Sequence, residues 1–201
     1  MRYSVTAVVV SYNREELLAE CLAGIDRQTR QPDHLIVIDN ASTDGALGVA
    51  RRFAARTVIP TRVVALPRNV GGAGGFTAGI ALAVEPLMQP LGPHTLGAGY
   101  RMGGYEPQPG LVHDMWLMDD DTVPLPNALE ELLRASDACV AQNGRVPVAL
   151  GSKAIWTDGR EHLMNKPRPR THPAEGGTKL RGFPSAYQTR SRSFVSCLLN
   201  A

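Results

Sequence analysis

Long apolar runs are missing from this chain: nowhere do about 18 apolar residues follow one another, so no segment reads as a helix crossing a bilayer. The opening Met1-Arg2-Tyr3 leads straight into a strand-like segment, without the charged leader and apolar core of an export signal. Charge of one sign is scarce too. Lys and Arg number 21 against 19 Asp and Glu, and a net charge of +2 is too mild to imply nucleic acid as a partner. Cysteine is limited to Cys21, Cys139 and Cys197, odd in number, widely spaced and set among apolar neighbours. That usage fits reduced packing residues in cytosol rather than disulfides or a metal site. No internal repeat is visible, and 201 residues suit one domain or one and a fraction.

What is present is an alternation of strand and helix patterns. Ser4 to Val10 is β-branched and apolar, as in a buried parallel strand, and Glu15 to Ile25 carries apolar residues at helical spacing. Leu35 to Ile38 gives a second strand ending on Asp39, followed by a helix from Asp44 to about Ala55. Arg62 to Ala65 gives a third, followed by a helix from Gly74 to Val84. This order predicts an α/β fold: a mostly parallel sheet with helices on both faces and its loops gathered at the carboxyl edge. Between Glu85 and Val112 the periodicity disappears in a stretch holding Pro86, Pro90, Pro93, Pro107 and Pro109 among repeated glycines. It reads either as a flap over a site or as a disordered insertion. A basic stretch from Lys166 to Arg192 reads as a solvated loop that could also lie beside anionic ligands or lipid headgroups.

The most telling feature is Asp119-Asp120-Asp121, which ends the apolar run Met115-Trp116-Leu117-Met118. A strand stopping on clustered carboxylates puts hard oxygen ligands where open α/β sheets bind their ligands. If the strand stays extended, Asp119 and Asp121 converge on one Mn²⁺ or Mg²⁺ while Asp120 turns away toward a sugar hydroxyl. The competing account is that these residues merely solvate a loop or cap the helix starting near Pro126. Three adjacent carboxylates repel one another, which favours a counter-cation.

Three further connections carry chemistry. Ser11-Tyr12-Asn13-Arg14 offers a ring for stacking, an amide and a guanidinium, although Ser and Asn before a helix also serve as caps. Asp39-Asn40-Ala41-Ser42-Thr43-Asp44-Gly45 ends a strand on a carboxylate able to accept from a pyrimidine imide or a ribose hydroxyl, while Ser42, Thr43 and Asp44 read as caps. Arg68-Asn69-Val70-Gly71-Gly72-Ala73-Gly74-Gly75-Phe76 removes side chains so that backbone can approach a bulky ligand, with a helix N-terminus behind it; a purely structural turn is the alternative. It fits neither a P-loop nor the dinucleotide fingerprint, which belongs on the first βα turn.

In this order and spacing the four motifs resemble the inverting nucleotide-sugar glycosyltransferases of family 2, with the GT-A fold, over residues 4 to about 135. Asn69-Val70-Gly71-Gly72-Ala73-Gly74-Gly75 and the triple Asp look most like bacterial galactofuranosyl and rhamnosyl transferases of cell-wall polysaccharides. The resemblance implies a UDP- or dTDP-sugar donor and a saccharide or lipid-linked acceptor. It implies Tyr12 and Asp39 at the pyrimidine, Arg14 and Asn69 near ribose and diphosphate, Asn13 and Gly74 in the same nucleotide site, Asp119 and Asp121 on Mn²⁺ or Mg²⁺, and Asp120 facing the donor sugar. Residues 1 to 135 then form the donor half, with a flap at 86 to 112, and 136 to 201 begin the acceptor half.

The family's catalytic base lies downstream of a strand like Ser193 to Leu199, and Phe194 to Ala201 stops without a turn or polar tail, so the chain reads as cut short with its base beyond residue 201. Asp158, Glu161, His162 and His172 sit in no recognisable base motif. A cytoplasmic protein, able to associate with the inner face of the membrane, is the matching location. The rivals are a nucleotide-sugar-binding fragment without catalysis, a nucleotidyltransferase, which Ser11-Tyr12-Asn13-Arg14 does not suit, and a phosphatase of the haloacid dehalogenase type. The last matches Asp119-Asp120-Asp121-Thr122-Val123 superficially but carries its motif on the first strand.

Overall fold

In a computed structural model the described residues are 1–85, 89–90, 100–101, 110–161, 168–169, 180–182, 189–191 and 196–200. Strands β1 (Arg2–Ser11), β2 (His34–Asp39) and β3 (Thr61–Ala65) alternate with helices α1 (Glu15–Asp26), α2 (Ala46–Ala54) and α3 (Gly71–Val84). Then come the short strands β4 (Gln89–Pro90) and β5 (Tyr100–Arg101), followed by β6 (Leu111–Asp119), α4 (Ala128–Asn143), β7 (Ala149–Gly151), β8 (Arg168–Pro169), β9 (Thr189–Ser191) and β10 (Ser196–Asn200). One six-stranded sheet runs β3-β2-β1-β6-β10-β7. Its β1, β2, β3 and β6 are parallel, and β10 runs antiparallel to both β6 and β7. The pairs β4–β5 and β8–β9 form separate two-stranded ribbons. Apart from these ribbons and residues 110–112 and 180–182, the expected flap and the basic stretch lie outside the described residues, as do His162 and His172.

The continuous apolar sequence of β1 follows from burial on both faces, as parallel strands require. Val5, Ala7 and Val9 pack with Trp116 and Met118 of β6 against Leu18, Leu22 and Ile25 of α1, Ala50 and Phe53 of α2, and Leu129 and Leu133 of α4. Val8 and Val10 join Ile36, Ile38, Met115 and Leu117 under Phe76 of α3. Helices therefore cover both faces, as expected. Cys21 and Cys197 are buried and all three cysteines are free thiols; burial, with the carboxylates of Asp120, Asp121 and Asp119 nearby, pushes the Cys21 thiol far up.

Two boundaries differ from the sequence expectation in ways that matter. Helix α3 begins at Gly71 rather than Gly74, so the glycine run is mostly helix and not loop. A Cβ at Gly75 or Gly79 would run into Val10 or Val8, and these glycines let α3 lie directly on the sheet. Strand β6 begins at Leu111, so His113 and Asp114 are strand residues. The start of α4 is served by a distant side chain: buried Gln28 accepts from the Leu129 backbone N–H at 3.1 Å and donates to the carbonyl of Leu125 at 2.7 Å. That contact ties the segment after the Asp triplet to α1, and it removes the reading of the triplet as the cap of α4.

Asp114 is buried in the middle of β6. Its Oδ1 accepts from the Asn200 amide at 3.3 Å and its Oδ2 has no partner among the described residues. Burial raises its pKa from 3.8 to about 6, partly offset by the Asn200 hydrogen bond. A folded-state pKa above the unfolded one means stability is fully present below pH 3.8 and is lost as pH rises through about 6. Asp114→Asn is therefore expected to raise the thermal midpoint at pH 8 and to leave it near or below wild type at pH 4. Parallel thermal melts at the two pH values check this, and an equal shift at both would contradict it.

Candidate functional site

Because β1 is parallel to β2 on one side and to β6 on the other, three strand ends share one edge. Ser11 is level with Asp39, and Val10 with Asp119. From β1 the chain proceeds to β2 and β3 on one flank, while β6 returns on the other, so the carboxyl ends of β1 and β6 form the switch-point crevice where open α/β sheets bind ligands.

The loops after these two strands are bound together across the crevice. The Tyr12 backbone N–H donates to Asp120 Oδ2 at 3.3 Å, and the Arg14 guanidinium donates to Asp120 Oδ1 at 3.2 Å and to Asp121 Oδ2 at 2.6 Å. Part of the guanidinium is desolvated, which opposes its charge, but the two carboxylates more than offset this and hold its pKa above the ordinary value. The expected extended geometry of the triplet is corrected here. Strand β6 ends at Asp119, and the Thr122 backbone N–H donates to the Asp119 carbonyl at 3.1 Å, closing a turn. The pair joined to one cation is thus Asp120 with Asp121, and Asp120 is buried against the β1 loop. Asp119 is pushed up to about 6 by desolvation and by the charges of Asp121 and Asp120, with Arg14 opposing. Among the described residues no group of three or more His, Cys, Asp or Glu is disposed to hold a metal.

On the β2 side, Asp39 is buried; its Oδ2 accepts from the Ser42 N–H at 3.3 Å, while its Oδ1 has no partner among the described residues, and neither has the buried hydroxyl of Ser11 beside it. Tyr12, which directly follows β1 at this edge, is 43% exposed. Asn13 has a positive φ of 52°, which Asn tolerates, and its Oδ1 accepts from the Thr43 N–H at 2.7 Å. Ser42 accepts from the Asn13 N–H at 3.0 Å. So Ser42 and Thr43 bind the neighbouring loop instead of capping α2. Asp44 does act at helix starts, accepting from the Ala46 N–H at 2.9 Å and from the Glu15 N–H of α1 at 3.0 Å.

Sequence reasoning missed Asn40. This buried amide donates to Asn69 Oδ1 at 3.0 Å and to the Gly71 carbonyl at 3.2 Å, and accepts from the Val70 N–H at 3.0 Å. It fastens the end of β2 to the start of α3, and the only sequence signal was its place directly after the strand-ending Asp39. Asn69 Oδ1 also accepts from the Gly71 N–H at 2.7 Å, so its acceptor faces the protein. Ala41 follows with a φ of 62°, a conformation costing roughly 1–2 kcal/mol for a residue with a Cβ. Gly74 lies inside α3, where a Cβ would be 2.6 Å from Val70 Cγ2, a packing reason for glycine. By contrast, Cβ atoms at Gly71 and Gly72 would meet nothing within 4 Å, and these two leave room for a ligand.

Neither described acidic candidate for a base is at this edge crevice as an unpaired group. Asp158 is held below its usual range by its hydrogen bonds from Arg160, whose guanidinium is 2.7 Å away, and Glu161 pairs with Lys153 at 2.9 Å. Asn40→Ala is expected to lower unfolding free energy by about 1–3 kcal/mol, since it strands three partners. Urea denaturation measures it, and an unchanged midpoint would contradict the bracing role.

The family model described as glycosyl transferase family 2 matches residues 6–91. A galactofuranosyltransferase GlfT1 of Mycolicibacterium smegmatis is 35% identical over 120 residues, which is 60% of this chain and 30% of that protein. GlfT1 of Mycobacterium tuberculosis (strain H37Rv) is 43% identical over 84 residues, 42% of this chain and 27% of that protein. The chain thus spans about 30% or less of the length of these relatives. The crystal structure of S. aureus TarS 1-349 superposes with a TM-score of 0.53 at 18% identity, covering 99% of this chain and 47% of that one, and its complex with UDP gives 0.53 at 16% over 81% and 38%. At such identities the structures establish a shared fold. Residues 6–91, which run from within β1 through α3 and hold the glycine-rich α3 start, thus match glycosyl transferase family 2, and the chain has the GT-A fold.

Proposed function

We propose that this chain is the donor-binding part of an inverting, metal-dependent glycosyltransferase that takes a sugar from a UDP- or dTDP-linked donor and passes it to a saccharide or lipid-linked acceptor in cell-wall or surface polysaccharide synthesis. The observation that carries the reading is the unpartnered, buried Oδ1 of Asp39, level with Ser11 and its unpartnered hydroxyl, with the exposed Tyr12 next in the chain. A buried carboxylate oxygen without a donor is costly, and the imide N–H of a pyrimidine stacked on Tyr12 would satisfy it. Galactofuranosyl transfer is the favoured chemistry because of the likeness to GlfT1. Rhamnosyl transfer is the other candidate.

Residues 1–135 form the donor half in this reading, with a flap at 86–112, and residues 136–201 begin the acceptor half. Arg14 lies where it can reach a diphosphate once nucleotide enters. The donor set at the end of β6 is hard oxygen, and desolvation and like charge keep Asp119 short of counter-charge, which fits a divalent cation. Asp119 and Asp121 would hold Mn²⁺ or Mg²⁺. The rest of its coordination would fall to phosphate and water, as is usual for Mg²⁺ with phosphate substrates. When bound, the cation supplies charge neutralisation for a departing nucleoside diphosphate. The protein's own share is to seat the base with Asp39 and Tyr12, to keep Asp120 fixed toward the donor sugar, and to position the anomeric carbon for attack by an acceptor hydroxyl from the opposite face, which inverts that carbon. The catalytic base is assigned to the acceptor half of the complete protein.

A cytoplasmic location, with peripheral contact between the basic stretch of 166–192 and the membrane surface, fits a lipid-linked acceptor. Among the described residues no helix is long and apolar enough to cross a membrane. Binding of nucleotide sugar without transfer by this chain alone is the second reading, favoured by the ion pairing of both Asp158 and Glu161.

Asp121→Ala is expected to abolish Mn²⁺-dependent binding of UDP while leaving the fold intact. Asp39→Ala should weaken UDP about tenfold or more with metal or chelator alike, the loss of one charge-assisted hydrogen bond. Polarisation of a fluorescent UDP measures both, and unchanged affinity in both variants would sink the reading.

A further inference from the structure

Three adjacent carboxylates in a turn need counter-charge, and the side chain that supplies it to Asp120 and Asp121 is Arg14. The two partners differ in mobility. Asp120 is buried and also accepts from the Tyr12 backbone, whereas Arg14 is half exposed at the entry to α1, on a long side chain that can turn without disturbing the helix. A guanidinium fork suits carboxylates and phosphates alike, so the same group can serve either. A divalent cation arriving alone meets Asp120 and Asp121 already paired with Arg14, and among the described residues no group of three or more His, Cys, Asp or Glu is disposed to hold it.

We propose that Arg14 is an internal counter-ion that couples cation to nucleotide: it occupies the Asp120–Asp121 carboxylates in the ligand-free chain and passes to the diphosphate as the cation enters. Cation and nucleoside diphosphate then bind as a unit, and the cation by itself binds poorly. This rests on the nucleoside diphosphate reading above and deepens it by making Arg14 the residue that sets the order of binding.

The test is Mn²⁺ binding to the full chain, followed by electron paramagnetic resonance of the unbound ion, with and without UDP. Arg14→Gln is expected to bind Mn²⁺ alone about fivefold more tightly than wild type and to lose most of the tightening that UDP brings. Arg14→Lys, whose compact ammonium lacks the planar fork that suits a diphosphate, should fall between them and carries the same test should the Gln variant lose its helical circular dichroism. Wild type that binds Mn²⁺ with UDP, yet binds Mn²⁺ alone as tightly as the Gln variant, overturns the coupling and leaves the nucleotide site standing. Wild type that fails to bind UDP with Mn²⁺ at all overturns both.

Discussion

The parallel pairing of β1 with β2 and β6 is the constraint on which the site depends. It puts Ser11 level with Asp39 and the adjacent Val10 level with Asp119 at one edge, and it lets the loop after β1 meet the turn after β6. Each strand is held by burial on both faces, by α1, α2 and α4 on one side and α3 on the other. A slip of one residue in β1 would exchange the Val5, Ala7, Val9 set with the Val8, Val10 set and move every polar terminus out of register with its partners. The register that buries the core is therefore the register that assembles the site.

Electrostatic strain at this edge is matched by backbone strain. The Asp119 carboxyl is held up by its own neighbours, and Ala41 occupies a left-handed conformation that offers an alanine nothing in return. Both are costs carried by the ligand-free fold. Asn40 offsets part of them by bracing the β2 end against the start of α3, and Gln28 does the same for the segment behind the Asp turn. The edge is thus rigid in its backbone and unsatisfied in its side chains, which is what a preorganised binding site requires.

Much of this was legible in the sequence because buried parallel strands write themselves as continuous apolar runs. The termini of β1, β2 and β3 fell within two residues of expectation, and the motif loops all emerged at the carboxyl edge. The glycine run was misread because glycine is a poor helix former; packing accounts for Gly74 and Gly75, whose Cβ atoms would meet Val70 and Val10, while Gly71 and Gly72 face open space. Strand β6 looked shorter than it is because His113 and Asp114 interrupt its apolar pattern, and a buried aspartate in mid-strand has no sequence signature. Asp119 and Asp121 were expected to share a face by strand alternation, but the strand ends at Asp119, two residues short of Asp121, so that rule does not apply. Asn40 looked like one more loop residue, and its value lies wholly in contacts some thirty positions away.

The central claim is that this sheet edge takes a pyrimidine nucleoside diphosphate together with a divalent cation. Calorimetric titration of the chain with UDP, dTDP, GDP and ADP, each with Mn²⁺ and with chelator, addresses it most directly. The account predicts heat from UDP or dTDP in the presence of Mn²⁺, with little from the purine nucleotides and a marked loss on chelation. Equal binding of all four, or binding indifferent to chelator, would contradict it.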